Sequence, residues 1–222
     1  MAITISGDHA HTPSKTVEAV PFGEEETAKY ARFKEWKNQT ESKHRVDWII
    51  SKAPKSEDRQ LSFPYNADLV PKKMQLTNGS ADWDYSGHVG IPNANAVGQK
   101  FKDVIESVEA DVHQFLPFEL YDQKGMLINK PFYFWRICTS IDAISPALGG
   151  VKPMTNSPHY LWQILRGEGR KKLAVRKDLI IGRAAWYDVR YKLPPFISDE
   201  VVGLLKAQEL TGWTATDYWK EI

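Results

Sequence analysis

The residues of this chain that could carry chemistry are few and scattered. Asp8, His9 and His11 form an Asp-His-x-His run that could set metal ligands on one face of a strand. No further ligand of suitable spacing is near, so the run reads as a solvated N-terminus and no metal is expected. Cys138 would need a base and an electropositive setting to act as a nucleophile, and the sequence places none of the six His in relation to it. It reads as a small buried hydrophobe. Ser140 and Ser145 lack a Gly-x-Ser-x-Gly elbow. Gly149-Gly150 and Gly167-Glu168-Gly169 are followed by no Gly-Lys-Ser/Thr and open no Gly-x-Gly-x-x-Gly turn, so they read as turns, and no cofactor is expected.

Two segments suit recognition better than catalysis. Asp82, Trp83, Asp84 and Tyr85, with His88 close by, form the densest polar and aromatic cluster, which reads either as a partner contact or as a long loop packed by its own side chains. From Arg166 to Lys177 the chain holds six basic residues (Arg166, Arg170, Lys171, Lys172, Arg176, Lys177) and one acid, Glu168. Phosphate contacts need such clusters. The span has no aromatics on which bases could stack, so it reads as a solvated hairpin able to meet an acidic patch on a protein. The partner-binding candidates are therefore Asp82, Trp83, Asp84, Tyr85, Arg170, Lys171 and Lys172. An enzyme site assembled from distant residues such as Asp142, His159 and Arg183 is the remaining catalytic alternative.

These groups must be held by elements whose patterns can be followed along the 222 residues. Hydrophobic residues at 42% and charged residues at 26% are ordinary for a globular protein, and the eight Trp suit core positions. Lys and Arg (29) against Asp and Glu (28) give net +1, so no global field draws the chain to nucleic acid or to an anionic membrane. One cysteine excludes an intrachain disulfide. The N-terminus lacks a secretory pattern and no run approaches a membrane span, so a cytoplasmic protein is expected.

Residues 1 to 28 read as a polar N-terminal arm or loosely attached strand. Glu24 to Asn38 predicts a helix, with three Glu at its positive end and Tyr30, Phe33 and Trp36 or Lys37 near one face. Val46 to Ile50 suggests a strand, and the Pro- and Gly-broken stretch from Ala53 to Asn95 allows short strands and long connections. Phe101, Val104, Ile105 and Val108 form one helical stripe, with Asn95 as its N-cap. Gln114 to Tyr121 reads as an edge strand because Pro117 cannot donate to a ladder. Asp122 to Gly125 is a turn, and Phe132 to Ile137 a more buried strand. Tyr160 to Leu165 is a strand or a helical turn. Leu179 to Ile181 and Trp186 to Val189 suggest strands. Ser198 caps a last helix to Gln208, and Trp213, Tyr218 and Trp219 close the fold.

Two runs carry a resemblance. His113-Gln114-Phe115-Leu116-Pro117-Phe118-Glu119-Leu120-Tyr121 follows the helix ending Phe101-Lys102-Asp103-Val104-Ile105-Glu106. Pro195-Phe196-Ile197-Ser198-Asp199-Glu200-Val201-Val202-Gly203-Leu204-Leu205-Lys206 runs on to Leu210-Thr211-Gly212-Trp213. Over about 95 to 222 this resembles a bacterial domain family grouped among immunity proteins of polymorphic toxin and type VI secretion systems. The resemblance implies a role in bacterial competition: binding a toxin domain made by the same cell and blocking its active site or its substrate access. Many such toxins are nucleases whose basic clefts meet acidic inhibitors. Net +1 departs from that pattern, and Asp82 and Asp84 are the acids to consider first.

The expected architecture is α+β, with a mixed or mainly antiparallel sheet, a few amphipathic helices, and two lobes meeting near 110 to 125. Its divisions are an arm (1–28), an N-terminal lobe (29–112) and a C-terminal lobe (113–222). The expected function is a non-enzymatic immunity protein. The rivals are a nucleic-acid module built on 166–177 and an enzyme.

Overall fold

Two six-stranded mixed sheets share a pair of amphipathic helices between them. A computed structural model describes residues 1–7, 17–50, 63–87, 89–91, 94–154, 161–191 and 194–222. In chain order the elements begin with strands β1 (Ala2–Gly7) and β2 (Glu18–Pro21), helix α1 (Glu24–Ile50), and strands β3 (Lys73–Asn78), β4 (Tyr85–Ser86) and β5 (Asn95–Gly98). Helix α2 (Gln99–Val108) precedes strands β6 (Gln114–Tyr121), β7 (Phe132–Arg136), β8 (Ser140–Ile141), β9 (Val151–Pro153) and β10 (Trp162–Ile164). A 3-10 turn (Gly167–Lys172), β11 (Ala174–Val175), helix α3 (Lys177–Ile180), β12 (Ala185–Asp188), β13 (Phe196–Ser198), helix α4 (Asp199–Ala207) and β14 (Trp213–Glu221) complete the chain. The fold is α+β.

The first sheet runs β2-β3-β6-β7-β5-β4 and the second β11-β14-β1-β13-β12-β8. Alternation sorts the side chains of each sheet between two faces. Met74, Leu76, Phe118, Leu120, Phe132 and Phe134 of the first sheet join Phe33 of α1 in one core. Its opposite face sends Val97, Trp135 and Phe115 to α2. Helix α2 presents Phe101, Val104 and Ile105, as its spacing predicts, and α4 presents Val201, Val202 and Leu205 beside them. Ile3, Ala185 and Ile197 of the second sheet close this middle core, and full burial of a side chain such as Phe101 stabilises it by roughly 2–3 kcal/mol. The far face of the second sheet carries Ala2, Trp186, Phe196 and Trp219 into a third core with Trp162, Leu173 and Ile180. Five of the seven Trp whose burial is described (Trp83, Trp135, Trp162, Trp186, Trp219) are buried, as their number suggested.

Several expectations need correction. The N-terminus is no loose arm: β1 lies between β13 and β14, pairing antiparallel with both, and buries Ala2 and Ile3 completely or nearly so. A run of six residues with little local signal becomes structural because partners from the far end of the chain surround it. Val46 to Ile50 belongs to α1, since a short apolar run has no period of its own and the preceding helical turns propagate through it. Asn95 lies in β5, and α2 starts straight from that strand after Gly98 without a side-chain cap. Leu179 belongs to α3 rather than to a strand.

Strand β6 is interior, not an edge. It pairs with β7 over Gln114–Phe118 and with β3 only over Glu119–Tyr121. Pro117 sits in the half that has β7 alone as neighbour, which is how an interior strand tolerates it. Ser198 does cap α4, its hydroxyl accepting from the Val201 nitrogen at 3.2 Å.

Candidate functional site

The Asp82–Tyr85 segment turns mostly inward. Trp83 packs against Phe132 with ring centroids 5.1 Å apart, and its indole N–H donates to the Ser80 carbonyl at 2.8 Å. Tyr85 is buried in the middle core and its hydroxyl donates to Asn95 Oδ1 at 3.0 Å. Burial drives that phenol far above its ordinary range. Asp84 Oδ2 accepts from both the backbone nitrogen (2.8 Å) and the hydroxyl (3.1 Å) of Thr211. In return the backbone nitrogens of Asp84 and Tyr85 each donate to the Thr211 carbonyl at 3.1 Å. Gly212 follows at φ +86°, where a Cβ would stand 2.1 Å from the Tyr85 carbonyl oxygen, so only glycine fits. Of the four candidates only Asp82 stands in solvent, with its carboxylate 3.8 Å from Lys130 Nζ. Trp83, Asp84 and Tyr85 fasten the first sheet to the turn before β14, which is the loop-packing alternative. His88 lies outside the described residues.

The basic segment is on the surface, but as a 3-10 turn followed by β11 rather than as a hairpin. Arg166, Arg170, Lys171, Lys172, Arg176 and Lys177 are all exposed. Arg170 Nε lies 3.1 Å from Asp217 Oδ1, and Lys171 Nζ lies 2.7 Å from Glu168 Oε1. The turn is seated tightly. A Cβ on Gly150 would meet the Lys172 carbonyl oxygen at 2.4 Å, and one on Gly169 would meet Leu165 Cβ at the same distance. Asp84 attaches at Thr211, in the turn before β14, and Arg170 at Asp217, in the middle of that strand, roughly 20 Å apart along an extended chain. The two candidate segments therefore do not form one site.

One group of buried charge lies where the sheets meet and another within the second sheet. Glu109, at the end of α2, accepts from Arg183 Nη1 at 2.8 Å and from the Ala184 backbone nitrogen at 2.8 Å, with His113 Nε2 3.4 Å away. Burial pushes this carboxyl up, but His113, Arg183 and the Ala184 N–H together outweigh it and hold it below its ordinary value. The other nitrogen of His113, Nδ1, accepts from the Cys138 backbone N–H at 3.3 Å. Nδ1 thus meets the backbone of Cys138, while the thiol donates to the Arg136 carbonyl at 3.5 Å and is raised by burial. Asp188 accepts from the backbone nitrogens of Ala143 (2.9 Å), Ile144 (2.8 Å) and Arg190 (2.8 Å). Burial nevertheless pushes it up to about 6.

Two of the three residues of the catalytic alternative have other partners. Asp142 accepts from Arg190 Nε at 2.7 Å, whereas Arg183 is held by Glu109; His159 lies outside the described residues. Asp8, His9 and His11 lie outside them too. Among the described residues no group of three His, Cys, Asp or Glu side chains could hold a metal ion, and no helix is long and apolar enough to cross a membrane. Sequence reading missed the Glu109–His113–Arg183 cluster, whose one local signal is a Glu and a His four positions apart at the end of an amphipathic helix.

Residues 20–219 match the Imm11 immunity protein family. The chain belongs to that family. No curated protein matched it. Membership in Imm11 brings an immunity role, and with it a toxin as the partner. It also extends the resemblance, quoted above for about 95 to 222, back through α1 and β3. Within this Imm11 chain Glu109, His113 and Arg183 tie the segments that follow α2 to the start of β12, where the two sheets meet.

Proposed function

We propose that this protein neutralises a cognate secreted bacterial toxin by binding it in the cytoplasm and covering its active site, without turnover and without a cofactor. The match to Imm11 across 200 of 222 residues carries the reading. The geometry supports it: among the described residues Glu109, Arg183 and Asp142 are taken up in structural ion pairs, while three packed cores make a stiff body suited to occlusion. A preformed surface orders few side chains on binding and so retains more of its contact energy as affinity. Delivery of the toxin by a type VI apparatus belongs to the same proposal, and a nuclease is one of the toxin activities it covers.

Co-expression with the toxin encoded in the neighbouring reading frame tests it. Growth should be restored when this protein is present. Equal killing with and without it would refute the reading. Purified toxin should also lose activity in a stoichiometric titration, with a plateau near one equivalent.

A further inference from the structure

We infer that the Arg166–Lys177 face is the docking surface, and that it meets a carboxylate-rich surface on a protein partner. The inference rests on the toxin-binding reading above for the partner's identity, but not for its chemistry. Charge is segregated in this chain. The twelve residues from Arg166 to Lys177 carry net +5, and the remaining 23 basic and 27 acidic residues carry net −4. Asp217 and Glu221 reach this face and pair with Arg170 and Lys177, and exposed Asp178 adjoins it, so the excess of the segment is reduced but stays positive, which attracts and orients an acidic partner during encounter. Arg166 and Lys172 have no acidic partner among the described residues, so they remain available to one.

The cations are preorganised. The backbone of the turn is wedged against Gly150 and Leu165, Leu173 is buried beneath it, and β11 is hydrogen-bonded to the end of β14. Holding charges on a fixed base lowers the entropy lost on binding. Lys220 adds another exposed cation across the ladder from Ala174.

Apolar groups beside these cations favour a protein over a nucleic acid. Ile181, directly after α3, is 70% exposed, and Ile222, whose carbonyl accepts from the Lys177 nitrogen at 2.9 Å, is 48% exposed. Exposed apolar side chains this near to Lys177 suit the mixed apolar and polar anatomy of a protein interface. They offer nothing to a phosphate backbone, and the span lacks aromatics for stacking bases.

The test uses the full chain and three variants: Arg166→Glu/Lys172→Glu, Ile181→Ala, and Lys73→Glu/Lys124→Glu, which makes the same change in net charge elsewhere. All these side chains are exposed, and thermal melts check that each variant folds. Binding is measured to the neighbouring toxin domain, to poly-L-glutamate and to a duplex DNA at several salt concentrations. Arg166→Glu/Lys172→Glu should weaken toxin binding roughly 10- to 100-fold, mainly through slower association. Ile181→Ala should weaken it several-fold, and the Lys73/Lys124 pair should stay within twofold. Equal binding by all variants, equal weakening by the Lys73/Lys124 pair, or tighter binding to DNA than to poly-L-glutamate overturns the inference. If the wild-type chain ignores the toxin, the function proposed above fails by itself. In that case salt-sensitive poly-L-glutamate binding lost in Arg166→Glu/Lys172→Glu upholds the acidic-partner inference, and its absence overturns it.

Discussion

Asp84 and Thr211, 127 positions apart, are joined by two hydrogen bonds to a single carboxylate oxygen. The contact ties the start of β4 to the turn that feeds β14, so one side chain links the two sheets. Asp84→Ala should lower stability by about 1–2 kcal/mol, read as a shift in urea midpoint, because charge-assisted bonds exceed neutral ones. Asp82→Ala, two residues away and exposed, should change it by less than about 0.5 kcal/mol. Equal effects would show that the Asp84 contact contributes nothing special.

Gly212 continues the same junction. Gly212→Ala must hold φ +86° and place a methyl against the Tyr85 carbonyl, so a loss of about 3 kcal/mol or more is expected. A thermal melt unchanged from the wild type would contradict the geometry.

The opposite change is expected at Glu209. It ends α4 at φ 54°, with the Leu210 nitrogen donating to the Leu205 carbonyl at 3.0 Å, the bond of a Schellman ending. Glu209→Gly should stabilise the protein by about 0.5–1 kcal/mol, since glycine takes that backbone region without steric cost. Calorimetry would detect the rise in Tm.

Removal of residues 1–7 separates the arm reading from the observed fold. Deleting β1 leaves β13 and β14 without their shared neighbour and exposes both adjoining cores. The truncated chain should lose cooperative unfolding of the second sheet, seen in near-ultraviolet circular dichroism of Trp186 and Trp219. A dispensable arm would leave the spectrum intact.

Acidification acts on two buried carboxyls with opposite signs. Asp188 binds its proton more tightly in the native state, with a value of about 6 against 3.8, so its contribution to stability falls as pH rises across that window. Glu109 is held below 4.5 in the native state, so its contribution is full above 4.5 and is lost as pH falls through the native value. Asp188→Asn should flatten the slope between about pH 4 and 6, and Glu109→Gln should remove part of the loss at lower pH. Glu109→Gln should also cost about 1 kcal/mol at neutral pH, because the Ala184 N–H loses a charged acceptor while Arg183, 43% exposed, is rehydrated. Denaturant midpoints measured across pH check both, and a profile parallel to the wild type in either variant would count against that residue.

Local pattern and tertiary context divide the protein cleanly. The stripe of Phe101, Val104 and Ile105, the Ser198 cap and the aromatic strand Phe132–Arg136 were legible because helix period, capping chemistry and β-propensity act over a few neighbouring residues. Arg166–Lys177 was legible as a charged surface for the same reason. Neither β1 nor the interior position of β6 was legible, since both depend on partners brought from elsewhere in the chain. Nor could order along the chain distinguish Asp82, left in solvent, from Trp83, Asp84 and Tyr85, drawn into the core and the Thr211 junction. The sequence by itself determined which segments are amphipathic and where charge accumulates. Only the tertiary structure decided which polar groups are used internally, because burial and long-range hydrogen bonding exist only once the two sheets have closed on α2 and α4.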